Sequence, residues 1–136
     1  MALLALAVLP GAVQTGAVDA QFEGLRSDKG VLRICITTNP DRFPNCKGDP
    51  AAVTRSVSAA KPHLDIAALP AGEYAIAVVH DENGNGKLDT FAGIPREGVG
   101  FSRNPKLAFG PPRFASAQFE ISGTAKPQSI RLKYFL

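Results

Sequence analysis

EYAIAVVH, residues 73–80, decides the fold. Tyr74, Ile76 and Val78 alternate with Ala75, Ala77 and Val79, so both faces of an extended segment are apolar, as in a strand covered on both sides. Pro70-Ala71-Gly72 closes it on one side and the Asx- and Gly-rich run DENGNG, residues 81–86, on the other. Upstream, residues 63–69 and 53–58 read as shorter strands. Residues 31–38 (VLRICITT) are β-branched, with Leu32, Ile34 and Ile36 on one face and Arg33 and Thr37 on the other. A first strand is expected over residues 21–25, ended by the polar turn RSDKG. Downstream, FASAQFEI (114–121) alternates again, and SIRLKYFL (129–136) sets Ile130, Leu132, Tyr134 and Leu136 against Arg131 and Lys133, an edge-type pattern. With 13 Gly and 11 Pro in 136 residues the chain does not read as a helical bundle. The expected fold is all-β: a small antiparallel sandwich, immunoglobulin-like or transthyretin-like, of about six to eight strands.

Composition sets further bounds. At 45% hydrophobic and 20% charged the chain is too apolar for disorder, and a net charge of +3 is too small to imply a nucleic-acid partner. All 15 Lys and Arg lie at or beyond Arg26, whereas residues 1–13 (MALLALAVLPGAV) are almost wholly apolar. This run resembles the core of a secretory signal, and Val18-Asp19-Ala20 places small side chains at the positions that signal peptidase reads, giving an expected signal peptide over 1–20 and one domain over 21–136. Thirteen apolar residues broken by Pro10 and Gly11 fall short of the about 20 needed to span a bilayer. Cys35 and Cys46 are the only cysteines, with Pro40 and Pro44 between them to turn the chain back, and in an exported protein they are expected to pair.

The most chemical stretch is DENGNGKLD, residues 81–89. Asp81, Asn83, Asn85 and Asp89 fall at positions 1, 3, 5 and 9 of a calcium loop, Gly86 at the sharp turn, and Lys87 where a backbone carbonyl ligates. Ala92 stands where the bidentate glutamate of an EF-hand would be, and Glu97 is the nearest downstream carboxylate able to complete a shell. Asn-Gly runs also serve metal-free tight turns, so both readings stay open. Beyond the loop, Arg96, Arg103, Lys106 and Arg113 against Glu97 give a local charge of +3 among Phe101, Phe109 and Phe114. Such a segment suits an anion-binding surface, or a solvated cover whose phenylalanines plug the sandwich end. It also has the charge to pair with the acidic loop 81–89.

Three blocks carry a resemblance: LPAGEYAIAVVHDENGNGKLD (69–89), GIPREGVGFS (93–102) and GPPRF (110–114). Together they resemble the bacterial family of uncharacterised proteins named DUF2141, from about Phe22 to the C-terminus. The resemblance implies an export signal and a single small β-domain. Residues 81–89 with Gly93-Ile94 are also similar to the calcium-binding B-type repeats of bacterial surface adhesins, although the acidic residue those repeats place soon after the last loop Asp is missing.

No G-x-S-x-G elbow, H-E-x-x-H pair or P-loop occurs, and His80 next to Asp81 on a strand points to the opposite face, so the chain is not expected to be an enzyme. The expectation is a monomeric, periplasmic or secreted module, binding or structural, with calcium as candidate cofactor in loop 81–89. Its partner would be an envelope protein or glycan, with no nucleic acid and no transmembrane segment. The alternative is a carbohydrate- or anion-binding module using loop 96–113.

Overall fold

Period-two alternation drives most of this chain into strands that bury one face, and the computed structural model describes residues 14–88, 90–91, 94–108 and 110–136. The apolar run 1–13, the larger part of the expected signal peptide 1–20, lies outside the described residues, as do Asp89 and Phe109. The strands are β1 (Thr15–Glu23), β2 (Val31–Thr37), β3 (Val53–Ser58), β4 (His63–Pro70), β5 (Gly72–Asp81), β6 (Thr90–Phe91), β7 (Ile94–Pro95), β8 (Gly98–Phe101), β9 (Phe119–Ile121) and β10 (Lys126–Arg131). One helical turn, α1 (Phe114–Ala117), precedes β9.

Two sheets pack face to face as a β-sandwich. One has the order β10-β1-β4; the other has the order β3-β2-β5-β8, with β9 also on β5. Pairing is antiparallel except between β1 and β10, which run parallel. Val18, Ala20 and Phe22 of β1, Leu64 and Ile66 of β4 and Ile130 of β10 face Leu32, Ile34 and Ile36 of β2 and Tyr74, Ile76 and Val78 of β5. The fully buried Leu and Ile side chains among these each stabilise the fold by about 1.5–3 kcal/mol.

The other face of β5 is buried too, as its sequence requires. Ala75 and Ala77 lie under Phe43, Val99, Phe101, Phe114 and Ala117, a second small core with Cys35, Val79 and Leu107 at its margin. Phe43 packs edge-on to Phe101 and to Phe114, with ring centroids 6.0 Å apart in each pair. The loop that brings Phe43 there is pinned to β2 twice. Cys35 and Cys46 form the expected disulfide, and the Thr37 hydroxyl donates to the buried Asp49 carboxylate at 2.6 Å.

Four differences from the sequence-based expectation have physical causes. Strand β1 begins at Thr15 rather than residue 21, because Val18, Ala20 and Phe22 already alternate inward, and it therefore runs through the expected cleavage point after Ala20. The segment 81–112, expected to be loop, contains β8, whose glycines are packing requirements rather than breaks. A side chain at Gly98 would collide with the Tyr134 ring, and one at Gly100 with Ile130 and Val78. Residues 114–117 form a helical turn, leaving β9 only residues 119–121. Strand β10 spans 126–131, and beyond it Lys133 only bridges Val99.

Along the β5 edge away from β2, β8 ends where β9 has not yet begun, and Ser102 fills the gap. Its N–H donates to the Ile76 carbonyl at 2.9 Å, its hydroxyl accepts from Ile76 N–H at 2.9 Å and donates to the Ala117 carbonyl at 2.5 Å. Buried backbone groups that β8 or β9 would otherwise pair are thus satisfied by one buried hydroxyl. No helix among the described residues is long and apolar enough to cross a membrane.

Candidate functional site at the end of strand β5

Strand β5 ends at Asp81, opposite Val31 at the start of β2. The turn before β2 approaches this end so closely that Gly30, at φ 73°, has no room for a Cβ against the Asp81 carbonyl. The Asp81 side chain is fully buried and accepts three hydrogen bonds. Arg33 Nε donates to Oδ2 at 2.8 Å, Gly86 N–H to Oδ2 at 2.9 Å and Asn85 N–H to Oδ1 at 3.2 Å. Burial by itself would raise the Asp81 pKa, but the Arg33 hydrogen bond and charge, with the two backbone donors, outweigh it and hold the carboxyl below its ordinary value.

The rest of the loop is a run of Asx turns. Asn83 Oδ1 accepts from Asn85 N–H at 3.2 Å, and Asn85 Oδ1 from Lys87 N–H at 2.9 Å. Asn83 and Asn85 each cap the backbone two residues on, which the turn itself accounts for, whereas Asp81 reaches the N–H groups four and five residues on. Gly84 and Gly86 supply the positive φ angles this path needs, 67° and 75°. Lys87 takes part through its backbone, and Asp89 lies outside the described residues. Glu97 comes one residue beyond the His80↔Gly98 pair that ends the β5–β8 ladder, and it is 4% exposed. The fold therefore brings a second buried carboxylate to the end of β5.

On the inner side of the same corner, His80 is fully buried with both ring nitrogens engaged. Nε2 lies 2.7 Å from the Lys29 carbonyl, which can only accept, so Nε2 carries the proton; in the neutral ring Nδ1 accepts from Tyr134 Oη at 2.7 Å. Arg26 ties this group to its surroundings. Its backbone N–H donates to Tyr134 Oη at 3.2 Å, its guanidinium lies 4.6 Å from the Tyr134 ring centroid, and it bonds Glu82 Oε1 at 2.7 Å through Nε. The same guanidinium donates to the carbonyls of Leu136 and Arg96. The Ser27 hydroxyl donates to the other Glu82 oxygen at 2.8 Å. Burial would raise the Glu82 pKa, yet the Arg26 and Ser27 hydrogen bonds, with the Arg26 charge, bring it below its ordinary value.

Among the described residues, Glu82 pairs with Arg26 and Asp81 with Arg33, and Arg26 also reaches segment 96–113 at the Arg96 carbonyl. The four basic residues of that segment are not gathered in one place. Arg96 and Arg103 flank opposite ends of β8, and Arg103 donates to the Gln118 carbonyl at 3.4 Å. Lys106 and Arg113 are exposed on the cover over the outer face of β5. Phe101 and Phe114 are turned inward beneath that cover, away from any ligand that would stack on them. Arg26, Arg33 and Tyr134 went unrecognised in the sequence because 48 to 108 residues separate them from their partners. The one local trace was Arg33, a charge on the outer face of an otherwise apolar strand.

No curated protein and no solved structure matches the chain. A family model described as "Uncharacterized protein conserved in bacteria (DUF2141)" matches residues 20–129, from within β1 into β10. That span holds all of β2 to β9 and the whole polar corner apart from Tyr134, and the chain belongs to the DUF2141 family of bacterial proteins.

Proposed function

We propose that this domain is an exported, non-catalytic module of the bacterial cell envelope that binds or spaces a partner protein or glycan. The observation that carries the reading is the use made of the polar groups at the end of β5. Arg26, Arg33, His80, Asp81, Glu82 and Tyr134 bond one another or nearby carbonyls across four chain segments, which rigidifies a scaffold corner. The apolar leader and the disulfide support the location. Fractionating cells that express the full chain tests it: the domain belongs in the periplasm or medium with Cys35 and Cys46 oxidised, and a reduced cytoplasmic protein rejects the proposal.

A second reading adds calcium to this corner, and a second buried carboxylate, Glu97, one residue beyond the end of the β5–β8 ladder favours it. In this reading Asp81, Asn83, Asn85, the Lys87 carbonyl and Asp89 supply the oxygens, and Glu97 completes the shell. Thermal unfolding in excess chelator and in millimolar calcium tests it. A rise in Tm that Glu97→Gln removes supports calcium, and an unchanged Tm ends the reading.

A further inference from the structure

On the opposite, solvent-facing side of the molecule, the β1–β4 ladder sets Asp19 directly across from Asp65 and Gln21 across from His63. Asp19, Asp65 and His63 therefore project from one face as a compact triangle. His63 Nε2 lies 2.5 Å from Asp19 Oδ1 and 3.4 Å from Asp65 Oδ1, and the three ligand-type atoms all fall within 4.8 Å of one another. Like charges directly opposite on a sheet destabilise it, and here the His63 ring lies against both carboxylates. On its other side Asp19 is paired in the ladder with Pro127, which brings no charge.

We infer that Asp19, His63 and Asp65 form a surface site for a divalent transition ion of the zinc type. One imidazole nitrogen and two carboxylate oxygens are a donor set suited to zinc, and three protein ligands leave a fourth position to water. Donors around a tetrahedral zinc stand about 3.3 Å apart, since each bond is about 2.0–2.1 Å. The Asp65 contact already has that spacing, and the Asp19 contact widens by less than about 1 Å when the ion replaces the hydrogen bond. Two paired strands hold all three residues, so the backbone is preorganised for the ion. His80, the other histidine, has both nitrogens engaged inside the fold and does not compete.

Zinc chloride alone, titrated calorimetrically into the purified full chain with calcium in excess, tests the site. The expected result is one saturable site per chain, weakened at least about tenfold by His63→Gln and by Asp65→Asn. Asp65 is exposed on the sheet surface, so its variant keeps the fold and keeps the test decisive. Cobalt(II) gives the complementary reading: a ligand-field spectrum in the parent chain that both variants lose. Absence of saturable zinc binding overturns the inference, as does equal binding by the two variants. So does an intact mass showing that the processed chain starts at Gln21 and lacks Asp19.

Discussion

Replacing Arg33 with methionine leaves the Asp81 carboxylate, whose side chain has no exposed surface, without its cationic partner while keeping the aliphatic stem that packs on the sheet. A hydrogen bond to a charged group contributes about 1.5–3 kcal/mol. Arg33 is 43% exposed at its side chain, so water screens part of this, and Gly86 and Asn85 continue to donate to the carboxylate. The expected cost is about 1–2 kcal/mol at pH 7, a fall in Tm of roughly 4–8 °C for a domain of this size. The pH dependence identifies the cause. Because Asp81 is held below its ordinary pKa in the folded state, its contribution is present above the ordinary carboxylate range and is lost as pH falls through the depressed folded value. Equilibrium urea unfolding at pH 7 and pH 3 reads both numbers: the gap between Arg33→Met and the parent narrows at acid pH. A gap of equal size at the two values, or less than about 0.3 kcal/mol at pH 7, refutes the assignment of Arg33 as the partner that charges Asp81.

Three other substitutions or treatments probe what positions the corner. Ser102→Ala strips the hydroxyl that serves Ile76 N–H and the Ala117 carbonyl; it costs about 1–3 kcal/mol by urea unfolding, and a neutral result contradicts the role given to that hydroxyl. Gly98→Ala drives a methyl into the Tyr134 ring and separates Tyr134 from His80. Loss of about 1–3 kcal/mol together with a changed tyrosine fluorescence is expected, and a stable variant with unaltered fluorescence contradicts the close approach. Reducing the Cys35–Cys46 bridge, whose cysteines are 11 residues apart, lowers stability by about 2–4 kcal/mol, with the change expected around Phe43 in hydrogen exchange; equal protection before and after reduction counts against the pinning role.

Strands β2 and β5 were legible almost to the residue because β-branched and apolar side chains run through them in register, and β3 and β4 because turn residues bound short segments that carry alternating Val53 and Val57 or Leu64 and Ile66. Strand β8 was not, because GVGF carries its information in missing side chains: Gly98 makes room for Tyr134 and Gly100 for Ile130, partners that only the folded chain brings near. The start of β1 was hidden by its small residues. Gly16, Ala17, Val18 and Ala20 read as the small residues before a cleavage site, and the burial of Val18 and Ala20 shows that they also suit a tightly packed strand. In FASA the alanines fit a strand or a helical turn equally, and the burial of Phe114 and Ala117, three apart, selects the turn. The same division holds at the site. Asp81, Asn83 and Asn85 announced a structured loop, since Asx turns are local chemistry. Arg33, Arg26 and Tyr134 reach it from other segments, and Asp19 finds His63 only through strand pairing.

The account rests most heavily on a sandwich whose first strand starts at Thr15 and whose cysteines are bridged, and on the proposal that it is exported. Strand β1 lies between β4 and β10, so losing residues 15–20 would take Val18 and Ala20 from the core and most of the pairing with both neighbours. That loss would be several kcal/mol against a total stability of about 5–15 kcal/mol. Intact-mass measurement of the protein recovered from the periplasm, with and without reduction before alkylation, tests this directly. The account predicts an N-terminus at or before Thr15 and two alkylated thiols only after reduction. A chain beginning at Gln21, or two thiols reactive without reductant, would contradict it.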